Sequence, residues 1–207
     1  MLRAAKLLIG VCGFATLVWG CAYQAGYNPA YVEKESSFVE TEKIDGRILI
    51  YTEKADDQVQ YSGHPTSFTG SASTLTIPLG TITREIAETV FGGLFRSGAQ
   101  HANSLDDANA YTMVLSPKVT QFSYEYDALK NLGFAITPTV SVTLSVSILD
   151  ASGAVRWTQS YESDKFETPA YVASGSPGER IGEATHKAIY ALMVRAAKDV
   201  REQVGKP

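Results

Sequence analysis

Residues 134–149 fix the kind of fold open to this chain. Val140, Val142, Leu144, Val146 and Ile148 alternate with Ser141, Thr143, Ser145 and Ser147. Successive side chains of a strand point to opposite faces, so the spacing predicts a strand with one buried and one polar face. A strand covered on one side only belongs to an antiparallel sheet; buried parallel strands read as continuous apolar runs. Pro138 delays the regular part of the strand. Asp150-Ala151-Ser152-Gly153 reads as a tight hairpin loop. Residues 154–163 return with Val155, Trp157, Gln159 and Tyr161 on one face. Upstream, residues 111–126 read as a long strand. Tyr111, Met113 and Leu115 share one parity, while Phe122, Tyr124 and Tyr126 share the other. The switch predicts a bulge or bend near Pro117.

Two helices accompany these strands. Over residues 81–97, Ile82, Ile86, Val90 and Leu94 recur every four positions, widened by Phe91 and Phe95. Gly98 is placed to end this helix. Gly92-Gly93 inside it costs about 1 kcal/mol per residue against alanine, which close packing on a sheet would rationalise. The last helix opens with Ser176-Pro177-Gly178-Glu179, a capping box with proline at the first helical position. Ile181, Thr185, Ala188, Leu192, Ala196 and Val200 then form one stripe. Residues 47–52, 59–62 and 75–79 are shorter strand candidates. The Gly/Ser/Thr-rich stretch 63–73, and residues 101–109 and 167–175, read as loops. The expected fold is α+β: an antiparallel, mixed-edge sheet with two helices packed on one face.

The N-terminus sets a compartment. Arg3 and Lys6 precede an apolar run over residues 7–20, which stops at Cys21. Cations, a short apolar core and a small residue at the cut make a secretory leader. The run falls short of the ~20 residues that span a bilayer. Val18-Trp19-Gly20-Cys21 resembles the lipobox of bacterial lipoproteins, although Trp19 stands where that box has a small or branched residue. The resemblance implies acylation of Cys21, which becomes the first residue of the mature chain. Ala22 in place of aspartate implies sorting to the outer membrane. An ordinary leader, or an uncleaved anchor with Cys21 incidental, fits the same pattern. Cys12 lies in the leader, so the mature chain would hold no disulfide framework. The expected organisation is a signal peptide over 1–20, lipidated Cys21 and a polar tether over 21–43, and one periplasmic domain over 44–207. The tether would give reach, at about 3.3 Å per extended residue.

Charge narrows the partners. The chain has 207 residues and a formal charge of -4, which becomes -6 without the two leader cations. An acidic chain with no basic run lacks the footprint of nucleic-acid binding and of polybasic docking on anionic lipid. Zinc motifs need histidines at helical or loop spacings, and His64, His101 and His186 show none. His186 reads as solvated on the polar flank of the last helix. Asp56-Asp57 and Asp106-Asp107 read as solvated turns with a cation site as the rarer alternative. No nucleophile-elbow, phosphate-loop or dinucleotide motif occurs. The sequence therefore supplies no catalytic residue, metal ligand or cofactor site.

One region stands out for binding. Tyr124, Tyr126, Leu129, Leu132 and Phe134 gather around the turn that joins the two long strands, and Leu129 and Leu132 lie in the turn itself. The outer face of residues 134–149 carries Ser and Thr but no charge, although an open edge is usually guarded by charge or proline. Either that strand is central with a folded-over turn, or the turn and a sheet edge form a partner surface.

The order of elements from residue 47 to 200, with the residue 18–21 box and the 150–153 turn, resembles the YajG-like outer-membrane lipoproteins of Gram-negative bacteria. It also resembles periplasmic lipoproteins of the PelC and LptE types that assist export or envelope assembly. The resemblance implies placement and fold and no catalytic residues. The expected function is a palmitate-bearing, non-enzymatic accessory or assembly subunit at the periplasmic face of the outer membrane, held by its lipid and contacting an envelope protein or copies of itself. The alternatives are a carrier of a small apolar ligand or lipid between sheet and helices, and a cell-wall hydrolase.

Overall fold

The computed structural model describes residues 22–33, 43–127, 135–163, 165–168 and 177–204. The chain runs through β1 (Ala22–Gln24), α1 (Ala30–Glu33), β2 (Ile48–Tyr51), α2 (Lys54–Asp57), β3 (Tyr61–Gly63), β4 (Thr74–Ile77), α3 (Leu79–Leu94), β5 (Ala99–Ala102) and a 3₁₀ turn at Ala108–Ala110. It continues through β6 (Met113–Asp127), β7 (Thr137–Leu149), β8 (Val155–Glu162), β9 (Phe166–Glu167) and α4 (Pro177–Val204). The fold is α+β. The large sheet has the order β5-β2-β6-β7-β8, with β9 added on β7, and a small sheet has the order β1-β4-β3.

Both sheets are mixed. β6, β7 and β8 form the expected antiparallel meander, whereas β2 runs parallel to both β5 and β6. In its second half β5 lies where the sequence suggested a loop from residue 101. Its Ala-Gln-His-Ala sequence has no apolar alternation, and backbone bonding to β2 makes it a strand. β7 supplies Val140, Val142, Leu144 and Val146 to the core from one face, as its alternation predicts. On β6 the parity switch is real and lies beyond Pro117: Val119 faces Leu144 and Gln121 faces Thr143, leaving Thr120 as the extra residue of a bulge.

Both long helices pack against the same face of the large sheet. Ile82, Ile86, Val90, Phe91 and Leu94 of α3 join Ile48 and Ile50 of β2 in one core cluster. α3 ends at Leu94, because the chain turns extended at Phe95 and bridges to Ile44, whose N–H donates to the Leu94 carbonyl at 3.0 Å. Gly98, at φ +77°, then leads into β5. The whole Ile181-to-Val200 stripe of α4 is buried. Leu75 and Ile77 bring the small sheet into the same layer. Across β2, Leu49 packs with Ala108 and Val114 in a minor cluster on the opposite face. No described helix is long and apolar enough to cross a membrane.

Residues 22–33, expected to be a free tether, are instead part of the domain. β1 pairs in parallel with β4, Ala22 opposite Thr74 and Gln24 opposite Thr76, and Ala25 and Val32 are buried. The sequence shows no period here because the segment is ordered by what it touches. The leader, Cys21 and residues 34–42 lie outside the described residues.

Candidate functional site

The N-terminal segment is seated on α4. Gly178, Gly182 and His186 are spaced four apart and so share one face of the helix. A Cβ on Gly178 would lie 3.2 Å from the Gln24 carbonyl oxygen and from Tyr23 Cβ, and one on Gly182 would lie 3.0 Å from Ala25 Cβ. The missing side chains are what let the chain approach so closely. One turn on, the Asn28 backbone N–H donates to His186 Nε2 at 3.1 Å, while His186 Nδ1 lies 2.7 Å from the Gly182 carbonyl oxygen. A carbonyl only accepts, so Nδ1 carries the proton; an amide N–H only donates, so Nε2 is bare. The ring is thus fixed as the neutral tautomer. Tyr27 stacks on it with centroids 5.4 Å apart, and Tyr31 meets it edge-on. His186 is 0 % exposed, and burial pushes its pKa below the ordinary imidazole value. The solvated flank expected for this residue is covered by the segment expected to be a tether.

The anticipated partner surface divides in two. Tyr124 and Tyr126 are interior, at 1 % and 5 % exposure. They stand in a row of edge-to-face rings with Tyr61, and Phe122 meets Tyr61 with centroids 4.7 Å apart. The Tyr124 hydroxyl donates to the Gly63 carbonyl at 3.1 Å, and burial pushes its pKa up to about 12. The lid over these rings is the 63–73 stretch of the same chain, so neither tyrosine offers surface to a partner. Leu129, Leu132 and Phe134 lie outside the described residues.

A second polar constellation sits where β2 and β5 end. Thr52 Oγ1 is 2.7 Å from His101 Nε2. The Asn103 amide donates to the Thr52 carbonyl at 2.9 Å and to its hydroxyl at 3.3 Å. β2 departs toward α3 while β5 departs toward the opposite face, making this a topological switch point of the kind where open sheets bind ligands. A hydroxyl against an imidazole is also the geometry of a nucleophile and its base. Thr52 is only 4 % exposed, however, so its oxygen is closed to a substrate. Burial and the nearby Arg84 cation lower the His101 pKa. The network ties the two strand ends together.

The Asp56-Asp57 carboxylates are likewise engaged. Asp57 accepts from Arg84 at 2.6 Å, and the same guanidinium meets Glu85 at 2.6 Å and Glu88 at 3.8 Å. Asp56 pairs with Lys118 at 2.8 Å. These bonds fasten α2 to α3 and β6. His64 Nδ1 donates to the Ser73 carbonyl at 2.7 Å and closes the base of the 63–73 loop. Among the described residues no three His, Cys, Asp or Glu side chains converge as metal ligands.

Two hollows remain. One, lined by Thr52, Leu79, Thr83 and Lys118 among others, holds about 20 Å³, room for about one water. The other is an open groove of about 320 Å³ over β6 and β7, with Gln121, Ser123, Ser141, Thr143 and Glu162 in its wall. Sequence reasoning missed the α4 seat; glycines at Gly178 and Gly182, four apart in a helix that is otherwise strongly helix-forming, were the available signal.

No family model matches the chain, and no curated protein matches it. Among solved structures it is similar to a Xanthomonas campestris protein of the DUF330 family, at 12 % identity and TM-score 0.47, over 88 % of this chain and 98 % of that one. A minor lipoprotein of Acinetobacter baumannii shows 12 % identity and TM-score 0.36, over 76 % and 92 %. The PelC dodecamer of Paraburkholderia phytofirmans shows 13 % identity and TM-score 0.38, over 76 % and 92 %. At these scores the likeness carries no function to this chain.

Proposed function

We propose that this chain is a lipoprotein of the bacterial envelope, cut before Cys21, acylated there, and held at the periplasmic face of the outer membrane as a non-enzymatic accessory or assembly subunit. The observation that carries the reading is that Ala22, the residue after the lipobox-like cysteine, is already seated in the domain, paired with Thr74 of β4. Cleavage before that cysteine would remove the apolar leader and leave every described element in place. Several acyl chains on one residue give stable attachment, at about 0.8 kcal/mol per buried CH₂.

Binding is favoured over catalysis because Thr52, His101, Asp56, Asp57, Arg84 and His186 all hold elements of the fold together. β8 ends the strand order of the large sheet. It exposes Thr158, Gln159 and Ser160 with charge only at Arg156 and Glu162, an edge to which a partner strand or a second copy could add. The carrier reading asks for a cavity between sheet and helices. Ala184, Ala188, Ala196 and Ala197 are fully buried there, which speaks against it.

The test is metabolic labelling with an alkyne fatty acid, followed by envelope fractionation and photo-crosslinking from position 159. Label and outer-membrane recovery in the wild type, both lost in Cys21→Ser, are the expected result. An unlabelled wild type overturns the anchor. A labelled protein that crosslinks to nothing, itself included, overturns the accessory role.

A further inference from the structure

We infer that the loop of residues 64–73 makes a second contact with the membrane, entering the lipid interface through Phe68 beside the acylated cysteine. The inference rests on the anchor at Cys21 proposed above and adds where the domain meets the bilayer. Phe68 is 95 % exposed, far above Val155 at 61 % and above Val59 and Val204. A single exposed apolar side chain is ordinary on a soluble surface. Its position is what gives this one meaning.

β1 and β4 are parallel, and Ala22 is the partner of Thr74. The residue next to the lipid attachment point therefore lies beside the first residue of β4, and the 64–73 loop is the segment that runs into β4. Phe68 is six residues from Thr74, so it stands within ~20 Å of that strand end by chain length alone. Because residues 22–28 are seated on β4 and α4, an anchor one residue before Ala22 would leave almost no chain between the domain and the bilayer. An acyl anchor at that rim brings the loop to the lipid.

The loop is built to present its tip. The Thr66 N–H donates to the Tyr124 carbonyl at 2.8 Å, and the Tyr126 N–H to Ser67 Oγ at 2.9 Å. The Ser71 N–H donates to the Phe68 carbonyl at 3.2 Å, and the Ser73 N–H to that of Gly70 at 2.8 Å. Contact therefore requires little new ordering of the chain. From Ser62 to Thr83 there is no Asp, Glu, Lys or Arg, so no charge has to leave water when the tip enters the interface. The acidic domain cannot dock on lipid by charge, which leaves an apolar contact.

The mature acylated chain has no free thiol, since Cys21 is modified and Cys12 is discarded with the leader. Phe68→Cys thus creates a lone attachment point for a nitroxide. Val155→Cys is the comparison: Val155 pairs with Leu149, which pairs with Val114, whereas the loop is bonded ten or more residues further along β6. The acylated full-length protein is reconstituted in phosphatidylethanolamine–phosphatidylglycerol vesicles, and label accessibility to oxygen and to a water-soluble nickel complex is compared. The expected result is one label per chain, with the position-68 nitroxide several-fold less accessible to nickel and more accessible to oxygen than the position-155 nitroxide. Equal accessibility at the two positions overturns the inference and leaves the anchor standing. Protection of position 68 from both reagents also overturns it, in favour of a protein covering the loop. Labelling of the unsubstituted protein shows a free Cys21 and removes the anchor and this inference together.

Discussion

The backbone N–H of Asn28 points at Nε2 of His186, 3.1 Å away, across 158 residues of sequence. The bond exists only while that nitrogen is bare. Protonation would set two donors against each other, since Nδ1 is already committed to the Gly182 carbonyl. Burial has lowered the folded-state pKa of His186 below the ordinary value of about 6.5. The unfolded chain therefore takes up the proton first as pH falls, and stability drops with it. His186 contributes its full stabilisation above about pH 6.5, and that contribution is lost progressively at lower pH. Urea midpoints at pH 7.5 and pH 5 are expected to differ more in the wild type than in His186→Asn. His101 also titrates below its ordinary value, so the comparison belongs in a His101→Asn background, with ring NMR signals assigning the transition.

The glycines of the two long helices should respond in opposite directions. A Cβ on Gly92 would meet Ala99 at 3.7 Å or more, an ordinary contact. Gly92→Ala is therefore expected to stabilise by about 0.5–1 kcal/mol through helix propensity and a less free unfolded chain. The close packing suggested for this position by its sequence is not what keeps it glycine. Gly182→Ala meets Ala25 Cβ at 3.0 Å, and Gly182→Val is expected to cost about 1–3 kcal/mol by overpacking. Chemical denaturation measures both. Limited proteolysis should release residues 22–33 from Gly182→Val before it attacks the sheet.

Tyr161 on β8 donates its hydroxyl to Asp199 Oδ2 on α4 at 2.9 Å, with Arg195 over its ring. Burial, then the Asp199 carboxylate, raises the phenol pKa above its ordinary value. Tyr161→Phe should cost about 1.5–3 kcal/mol, the range for hydrogen bonds to charged groups. A double-mutant cycle with Asp199→Asn would isolate the pair. With the folded-state pKa raised, stability is full below about pH 10 and falls as pH climbs further, because the unfolded chain loses its phenolic proton first. Tyr124, pushed up to about 12, adds to the same alkaline loss. Absorbance-monitored base titration of Tyr161→Phe should show a shallower transition than the wild type.

The legible parts of the sequence were those whose partners leave a period. β7 has a core on one side and water on the other, so Val140 to Ile148 alternate. α4 carries its stripe because Ile181 to Val200 all face one layer. Elements held by contacts from distant residues leave no such trace. β1 and α1 are too short to show a period, and they are ordered by the glycine seat and imidazole of α4. β5 is a strand by backbone pairing alone. Tyr124 and Tyr126 read as surface because their cover is a Gly/Ser/Thr loop, a composition that carries no sign of lying against aromatic rings. Cys21, the residue on which the cellular reading turns, was read from its neighbours in sequence and lies outside the described residues.

Thr120 offers a test of what sets the faces of β6. Leu115, Pro117 and Val119 alternate inward up to the bulge, and Phe122, Tyr124 and Tyr126 do so after it. Removing Thr120 converts the bulged stretch into an unbroken ladder: Val119 still opposes Leu144, Gln121 still opposes Thr143, and every later side chain keeps its face. The deletion loses the local bend and the 3.3 Å bond from the Thr120 hydroxyl to the Thr143 carbonyl, and it is expected to cost about 1–2 kcal/mol, in the range of an ordinary point change. Removing Ser123 has the opposite consequence. A one-residue slip in a regular strand exchanges its two faces, so either Phe122 or the pair Tyr124 and Tyr126 must turn to water, at about 1.5–3 kcal/mol for each large side chain. The lid formed by residues 63–73 would also lose the Tyr124 carbonyl and Tyr126 amide it bonds. A folded Thr120 deletion beside an unfolded Ser123 deletion, read by circular dichroism and urea midpoint, is the expected pair. Equal damage from both would mean that the bend at Thr120, and not the parity it restores, is what the rest of the fold depends on.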